Sequence, residues 1–243
     1  RAPELLTTPV ERRAALAETG IGHMLVLRFD AAMAALPPER FVREMLVERA
    51  RMRELVVGYD HGLGRGRSGD VETLRRMGEA EGFTVTVVPP VEVDGVRVSS
   101  SRIRQALVDG DLGLAARLLG RPYRVSGPVV PGERRGRVLG VPTINLAVPP
   151  RKLLPPDGVY AVRVEGRDGV AGGMLNQGPK PTFGDGRRTL EAHLFGVARD
   201  LYGEWVRIEW VTRLRDVMRF GSPKDLAEQL ERDRSAAVAA LGL

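Results

Sequence analysis

The chain reads as an α/β protein in two parts, a doubly wound parallel sheet followed by an antiparallel β-barrel with a terminal helix. Three observations predict this. Up to about Leu118, segments of helical period alternate with short apolar runs, the pattern of helices crossing between parallel strands. After Gly120-Arg121-Pro122 the segments become short, strand-like and separated by Gly and Pro, and Val159–Val164 and Val206–Val211 alternate apolar and polar positions. From Ser222 onward, Leu226, Leu230, Ala237 and Leu241 form one apolar helical stripe, suited to packing on the barrel. The boundary is expected near Leu118 to Pro122, giving domains 1–118 and 119–243.

The elements follow in order. Thr8 suits the cap of a helix from Pro9 to Glu18, because its hydroxyl accepts a free N–H and proline fits the first turn. Met24 to Phe29 is expected as a short apolar strand. Pro38 to Arg51 is amphipathic, with Phe41, Val42, Met45 and Leu46 on one face. Leu55-Val56-Val57 is a second strand ending at Gly58, and Asp70 caps a helix to Glu81. Phe83 to Val88 is a third strand. Asp94-Gly95, between Val91–Val93 and Val96–Val98, is a strong hairpin signal, since both turn positions take positive φ. Ser101 opens a helix to Val108, Asp111 one to Leu119, and Ser222 the last.

Composition narrows the function. A chain of 243 residues holds one large or two ordinary domains. It has no cysteine, which excludes disulfides and thiolate metal sites. No apolar run is long enough to span a membrane and no signal-peptide pattern opens the chain, so a cytoplasmic protein without a membrane partner is expected. Basic residues exceed acidic by 37 to 31, nearly all of them arginine. Acidic residues interleave throughout, and aromatics at 5% are too few for a row of base-stacking platforms. The charge is therefore read as phosphate binding and an arginine-rich surface, not as a nucleic-acid partner. Oligomeric state is not legible.

The most informative stretch runs from Gly132 to Asn145. Gly132, Gly136 and Gly140 allow close backbone approach to a ligand, and Arg134, Arg135 and Arg137 supply donors suited to phosphate. Pro142 then leads into Thr143 and Asn145, which share a face if they begin a strand. An oxygen pair beside a basic glycine loop suits a magnesium–nucleotide complex. An exposed hairpin loop leading into a strand is the plainer alternative. Farther upstream, Asp60 follows a strand end, where open parallel sheets bind ligands. Arg65 and Arg67 lie in the same glycine-containing loop. Ser99, Ser100 and Ser101 precede a helix carrying Arg102 and Arg104, a setting that favours an anion, although serine capping alone explains Ser101.

Several of these segments also resemble a known family. Gly140-Val141-Pro142-Thr143-Ile144-Asn145 is similar to the Gly-x-Pro-Thr-Ala-Asn signature of riboflavin kinases. Asn176-Gln177-Gly178-Pro179-Lys180-Pro181-Thr182-Phe183 resembles the family's Asn-x-Gly-x-Arg-Pro-Thr-Phe, and Thr189-Leu190-Glu191-Ala192-His193-Leu194 its Thr-x-Glu-x-His-Leu strand. Asp200-Leu201-Tyr202-Gly203 and Arg213-Leu214-Arg215-Asp216 continue the pattern. Val57-Gly58-Tyr59-Asp60-His61 and Ser99-Ser100-Ser101-Arg102-Ile103-Arg104 resemble the adenylyltransferase half of the bacterial bifunctional riboflavin kinase/FAD synthetases. The resemblance implies two ATP-dependent steps, riboflavin to FMN and, in an intact protein, FMN to FAD. It implies a nucleotidyltransferase fold for the first domain. It places Glu191 as the catalytic base, Thr143 and Asn145 on Mg2+, and Asn176, Thr182 and Phe183 on the flavin. Gly132, Gly136, Arg137, Gly140 and Pro142 would serve the ATP of the kinase. Asp60, Ser99, Ser100, Ser101 and Arg104 would serve the ATP of the adenylyltransferase. His193, on the face of Glu191, is expected to be a hydrogen-bonded core residue.

The departures are specific. Ile144 replaces alanine and Lys180 replaces arginine, which keeps the charge but loses the bidentate fork. The adenylyltransferase's opening Gly-x-Phe-Asp-Gly-x-His-x-Gly-His is absent, the only histidines being His23, His61 and His193. An incomplete first domain with an inactive adenylyltransferase is therefore expected. A monofunctional riboflavin kinase with a structural first domain is the alternative. An arginine-rich nucleic-acid module is a third reading, marked by salt-sensitive affinity without flavin binding.

Overall fold

The structure, a computed structural model, describes residues 3–132, 143–179, 188–197 and 199–243. The chain begins with α1 (Pro9–Ala17), α2 (Ala31–Ala34) and α3 (Pro38–Phe41), the last continuing as a π-helix (Val42–Arg49). Next come β1 (Glu54–Gly58), α4 (Val71–Glu81), β2 (Thr84–Val88), β3 (Glu92–Val93) and β4 (Val96–Arg97). Two helices, α5 (Ser100–Val108) and α6 (Leu112–Leu119), lead to β5 (Arg124–Val130), β6 (Thr143–Leu146) and β7 (Gly158–Gly166). The chain finishes with β8 (Gly169–Pro179), β9 (Arg188–Leu194), β10 (Trp205–Arg215) and α7 (Pro223–Leu241). It forms two compact units, one of Arg1–Ile21 with Ser99–Leu243, the other of Gly22–Val98.

In the second unit β1 and β2 pair in parallel, from Glu54 opposite Thr84 to Gly58 opposite Val88. Val42, Val57, Leu74 and Phe83 form its core, so the π-helix and α4 both pack on this sheet. Asp70 caps α4 by accepting from the Thr73 N–H at 2.8 Å. The β3–β4 hairpin turns at Asp94 and Gly95, whose φ values of 53° and 71° are those its two-residue turn requires.

Two expectations are corrected here. Met24 to Phe29 is not a strand; Val26 and Phe29 are 74% and 80% exposed. A strand exists only where another offers it a hydrogen-bonding edge, and no described strand pairs with this segment. The amphipathic stretch from Pro38 is a short α-helix followed by π-helical turns ending at Arg49, not one helix to Arg51.

In the first unit β5 to β10 close into an antiparallel barrel of order β10-β5-β6-β9-β8-β7. Strand alternation fills its inside. Tyr160, Val162, Leu175, Leu190, Ala192, Ile208 and Trp210 are almost wholly buried. Outward residues on β7 and β8 meet α7 instead, where Ala161 and Met174 pack with Ala237 and Leu241. Gly172 permits this approach, since a Cβ there would collide with Leu241 and Leu243. Ser222 caps α7, as expected.

The α1 helix joins this unit through polar contacts. Thr8 and Glu11 cap each other, Thr8 N donating to Glu11 Oε2 at 2.8 Å and Glu11 N to Thr8 Oγ1 at 3.2 Å. Glu11 Oε1 also accepts from Ser126 N of β5 at 2.8 Å. The buried Lys152 ammonium donates to Glu11 Oε2, Leu6 O and Arg124 O at 2.6–2.8 Å. Every donor of that ammonium is satisfied, the condition under which a charge is tolerated in a core.

Candidate active site

Register decides which side chains meet. Antiparallel pairing sets Asn145 opposite Glu191, Glu191 opposite Asn176, Asn176 opposite Val159, and Val159 opposite Arg215. The neighbouring row is Thr143, His193, Met174 and Ala161. Leu190, Ala192 and Leu194 of β9 are buried in the barrel, so Glu191 and His193 must leave its outer face, and they are half-buried there. Thr143 and Asn145 share that face, and Ile144, opposite Ala192, does not. Thr143 Oγ1 donates to Glu191 Oε1 at 2.6 Å, which aims one carboxylate oxygen. Gly132 makes room for the Asn145 amide, with which a Cβ would collide. His193 packs edge-on against Phe195, ring centroids 5.7 Å apart.

These residues open onto a cavity of about 250 Å³ between the barrel's outer face and α7. Thr143, Asn176, Glu191 and His193 are at its polar side. Val159 and Met174 from the barrel, Val217, Met218 and Phe220 from the β10–α7 connection, and Leu226 and Leu230 from α7 supply apolar surface. Arg215 and Asp233 also line it, bound to each other through a fork of 2.6–3.1 Å contacts. Among the described residues no group of three or more His, Asp or Glu converges as a metal centre. Hydroxyl, amide and carboxylate oxygens at Thr143, Asn145 and Glu191 are nevertheless the donor class a hard cation takes when water and phosphate complete its shell.

The other candidates are divided between the two units. Ser99, not Ser101, caps α5, accepting from Arg102 N at 3.3 Å; its extended backbone places the cap two residues earlier than expected. Arg104 Nε donates to Glu4 O at 2.9 Å within the first unit. Asp60 belongs to the second unit, where its carbonyl accepts from Arg67 Nη2 at 2.7 Å. His61 Nε2 there is buried without a hydrogen-bond partner among the described residues. Gly136, Arg137, Gly140, Pro142, Thr182 and Phe183, together with Lys180, lie outside the described residues. The Arg215–Asp233 pair and the Phe220 and Met218 wall were missed as site residues. The sequence signals were Arg215 within the Arg213-Leu214-Arg215-Asp216 segment of the resemblance and the spacing of Leu226, Leu230 and Asp233 on one face of α7.

A closed barrel with a carboxylate beside an apolar slot on its outer face is the frame of a small-molecule enzyme. The riboflavin kinase family matches residues 119–241 and the FAD synthetase family residues 1–102. The bifunctional riboflavin kinase/FMN adenylyltransferase of Escherichia coli K12 is 40% identical over the whole chain, which spans 78% of that protein. The Bacillus subtilis protein of the same name is 34% identical, over 97% of this chain and 75% of its own. A solved Streptococcus pneumoniae structure called a macrolide-efflux protein superposes with a TM-score of 0.84 at 34% identity, covering 96% of this chain and 75% of that one. No helix among the described residues of the present chain is long and apolar enough to cross a membrane. The chain belongs to the bifunctional riboflavin kinase/FMN adenylyltransferase family, ATP-dependent enzymes that make FMN and FAD.

Proposed function

We propose that the outer-face cavity holds riboflavin and that Glu191 is the general base of its phosphorylation. The observation that carries this is the 2.6 Å contact between Thr143 and Glu191 at the polar side of an apolar slot. A flat, largely apolar ring system suits the Val159, Met174, Phe220 and Leu230 surfaces, and the polar side then meets its sugar-alcohol chain. Glu191 takes the proton from the terminal hydroxyl. The hydroxyl oxygen bonds to the γ-phosphorus of ATP, the bond from that phosphorus to the bridging oxygen breaks, and FMN and ADP result. Thr143 keeps Glu191 aimed by its hydrogen bond.

Magnesium fits this donor set, and Thr143 and Asn145 are the residues that would hold it. When bound it would neutralise charge on the phosphate oxygens. Gly132, Gly136, Arg137, Gly140 and Pro142 are assigned to the ATP of this step, and Asn176, Thr182 and Phe183 to the flavin. Asp60, Ser99, Ser100, Ser101 and Arg104 are assigned to the ATP phosphates of FMN adenylylation. The corresponding domains are 1–118 and 119–243, in a cytoplasmic protein.

The test is direct. The purified chain is incubated with riboflavin, ATP and magnesium, and the flavins are resolved by chromatography. FMN formation is expected; its absence from folded protein would sink the assignment.

A further inference from the structure

We propose that Arg215, Asp233 and Gln229 form a positioning clamp that sets the height of α7 over the barrel, and with it the width of the riboflavin slot. The inference rests on the reading of the cavity given under Proposed function. Asp233 lies near the middle of α7 and is 3% exposed. Its carboxylate accepts from Arg215 Nε at 2.8 and 3.1 Å, from Arg215 Nη2 at 2.6 Å and from Gln229 Nε2 at 2.8 Å. Arg215 Nη1 also donates to Asp216 O at 2.8 Å, which ties the clamp to the start of the β10–α7 connection.

The two halves of α7 are held differently. Its C-terminal half is seated by apolar contacts of Ala237 and Leu241, with Arg163 Nη2 donating to Leu241 O at 3.2 Å. Its N-terminal half walls the cavity with Leu226 and Leu230, of which only Leu230 also packs against the cluster of Ala237 and Leu241. Apolar contacts are non-directional and let a helix slide or tilt. A bidentate guanidinium–carboxylate pair fixes both distance and angle. Stability alone does not account for it, because well-packed apolar residues often replace a buried pair without loss. What such a replacement cannot reproduce is the orientation of the wall the ring system must meet.

The experiment uses the full chain and the double variant Arg215→Met/Asp233→Leu, with Asp233→Asn as a second, shape-conserving variant. Riboflavin binding is read by quenching of flavin fluorescence, steady-state constants by FMN formation, and folding by thermal melting. The double variant should melt near the wild-type temperature. Its riboflavin Kd and KM should rise about tenfold, the scale of a wall displaced by a fraction of an ångström, while KM for ATP is unchanged. Arg215→Lys keeps the charge but loses the fork, and should show a smaller rise. Wild-type Kd and KM for riboflavin in the folded double variant or in folded Asp233→Asn would overturn the clamp. A wild-type chain that takes up no riboflavin would instead overturn the reading of the cavity on which the clamp rests.

Discussion

Glu191 and Thr143 act as one unit, because the hydroxyl that aims the carboxylate is also a proposed magnesium ligand. Glu191→Gln keeps the shape and one acceptor. It should leave the melting temperature nearly unchanged while FMN formation falls roughly 10²–10⁴-fold, the range for a lost general base. Near-normal turnover would remove Glu191 from that role. Thr143→Ala should raise the magnesium concentration needed for half-maximal rate more than the riboflavin KM; an unchanged magnesium dependence counts against the assignment. Because the two side chains touch, the effects of the two substitutions should not add in the double variant. That Thr143 shares a face with Asn145, and Glu191 with His193, was legible from the i, i+2 rule of strands. The pairing of Arg215 with Asp233 was not, because it joins a strand to a helix and neither the Arg213–Asp216 motif nor the helix spacing names the partner. Gln177 was equally opaque. It is fully buried and donates to Pro155 O at 2.5 Å, which only the closed barrel makes necessary.

Among the elements, α1 is tied to the barrel by buried polar contacts of Glu11 with Lys152 and Ser126. Lys152→Met should destabilise the protein by about 3–5 kcal/mol at neutral pH, because Glu11 would be left as a buried charge without its cation. Denaturant unfolding checks this, and a loss near zero would mean that Ser126 and Thr8 alone satisfy the carboxylate. Burial pushes the Lys152 ammonium down to about 8 despite the opposing pull of Glu11. Its folded value therefore lies below its unfolded one, and between about pH 8 and 10.5 the unfolded chain holds the extra proton. Stability from this group rises with pH across that window and is flat below it. The margin of wild type over Lys152→Met should accordingly widen from pH 8 to pH 10. Helix starts at Thr8, Asp70, Asp111 and Ser222 were readable because a cap is a local hydrogen bond. The segment Met24 to Phe29 was misread because apolarity specifies that a strand can be buried, whereas pairing requires a partner elsewhere.

For the whole molecule, the expected outcome is FMN with little or no FAD. Thr143, Asn145, Asn176 and Glu191 sit on strands of a closed barrel, while no histidine of this chain falls in the Gly-x-Phe-Asp-Gly-x-His-x-Gly-His pattern that serves adenylyl transfer in the resembled family. Chromatography after incubation with riboflavin, ATP and magnesium reads both products, and robust FAD accumulation would show that this chemistry resides elsewhere. That an α/β part precedes a barrel was legible from helix period and strand alternation, but the compact units divide at Val98 and Ser99, so α5 and α6 go with the barrel. That residues 3–21 pack with the barrel unit was not, since Glu11 and Lys152 lie 141 positions apart. That separation carries a cost in time. A ribosome adding roughly 5–20 residues per second needs on the order of ten seconds to travel from Glu11 to Lys152. Throughout that interval Glu11 has been made without its cation, although Ser126 arrives earlier. Slower translation between these two codons should then lengthen the time the nascent chain spends with that carboxylate unpaired.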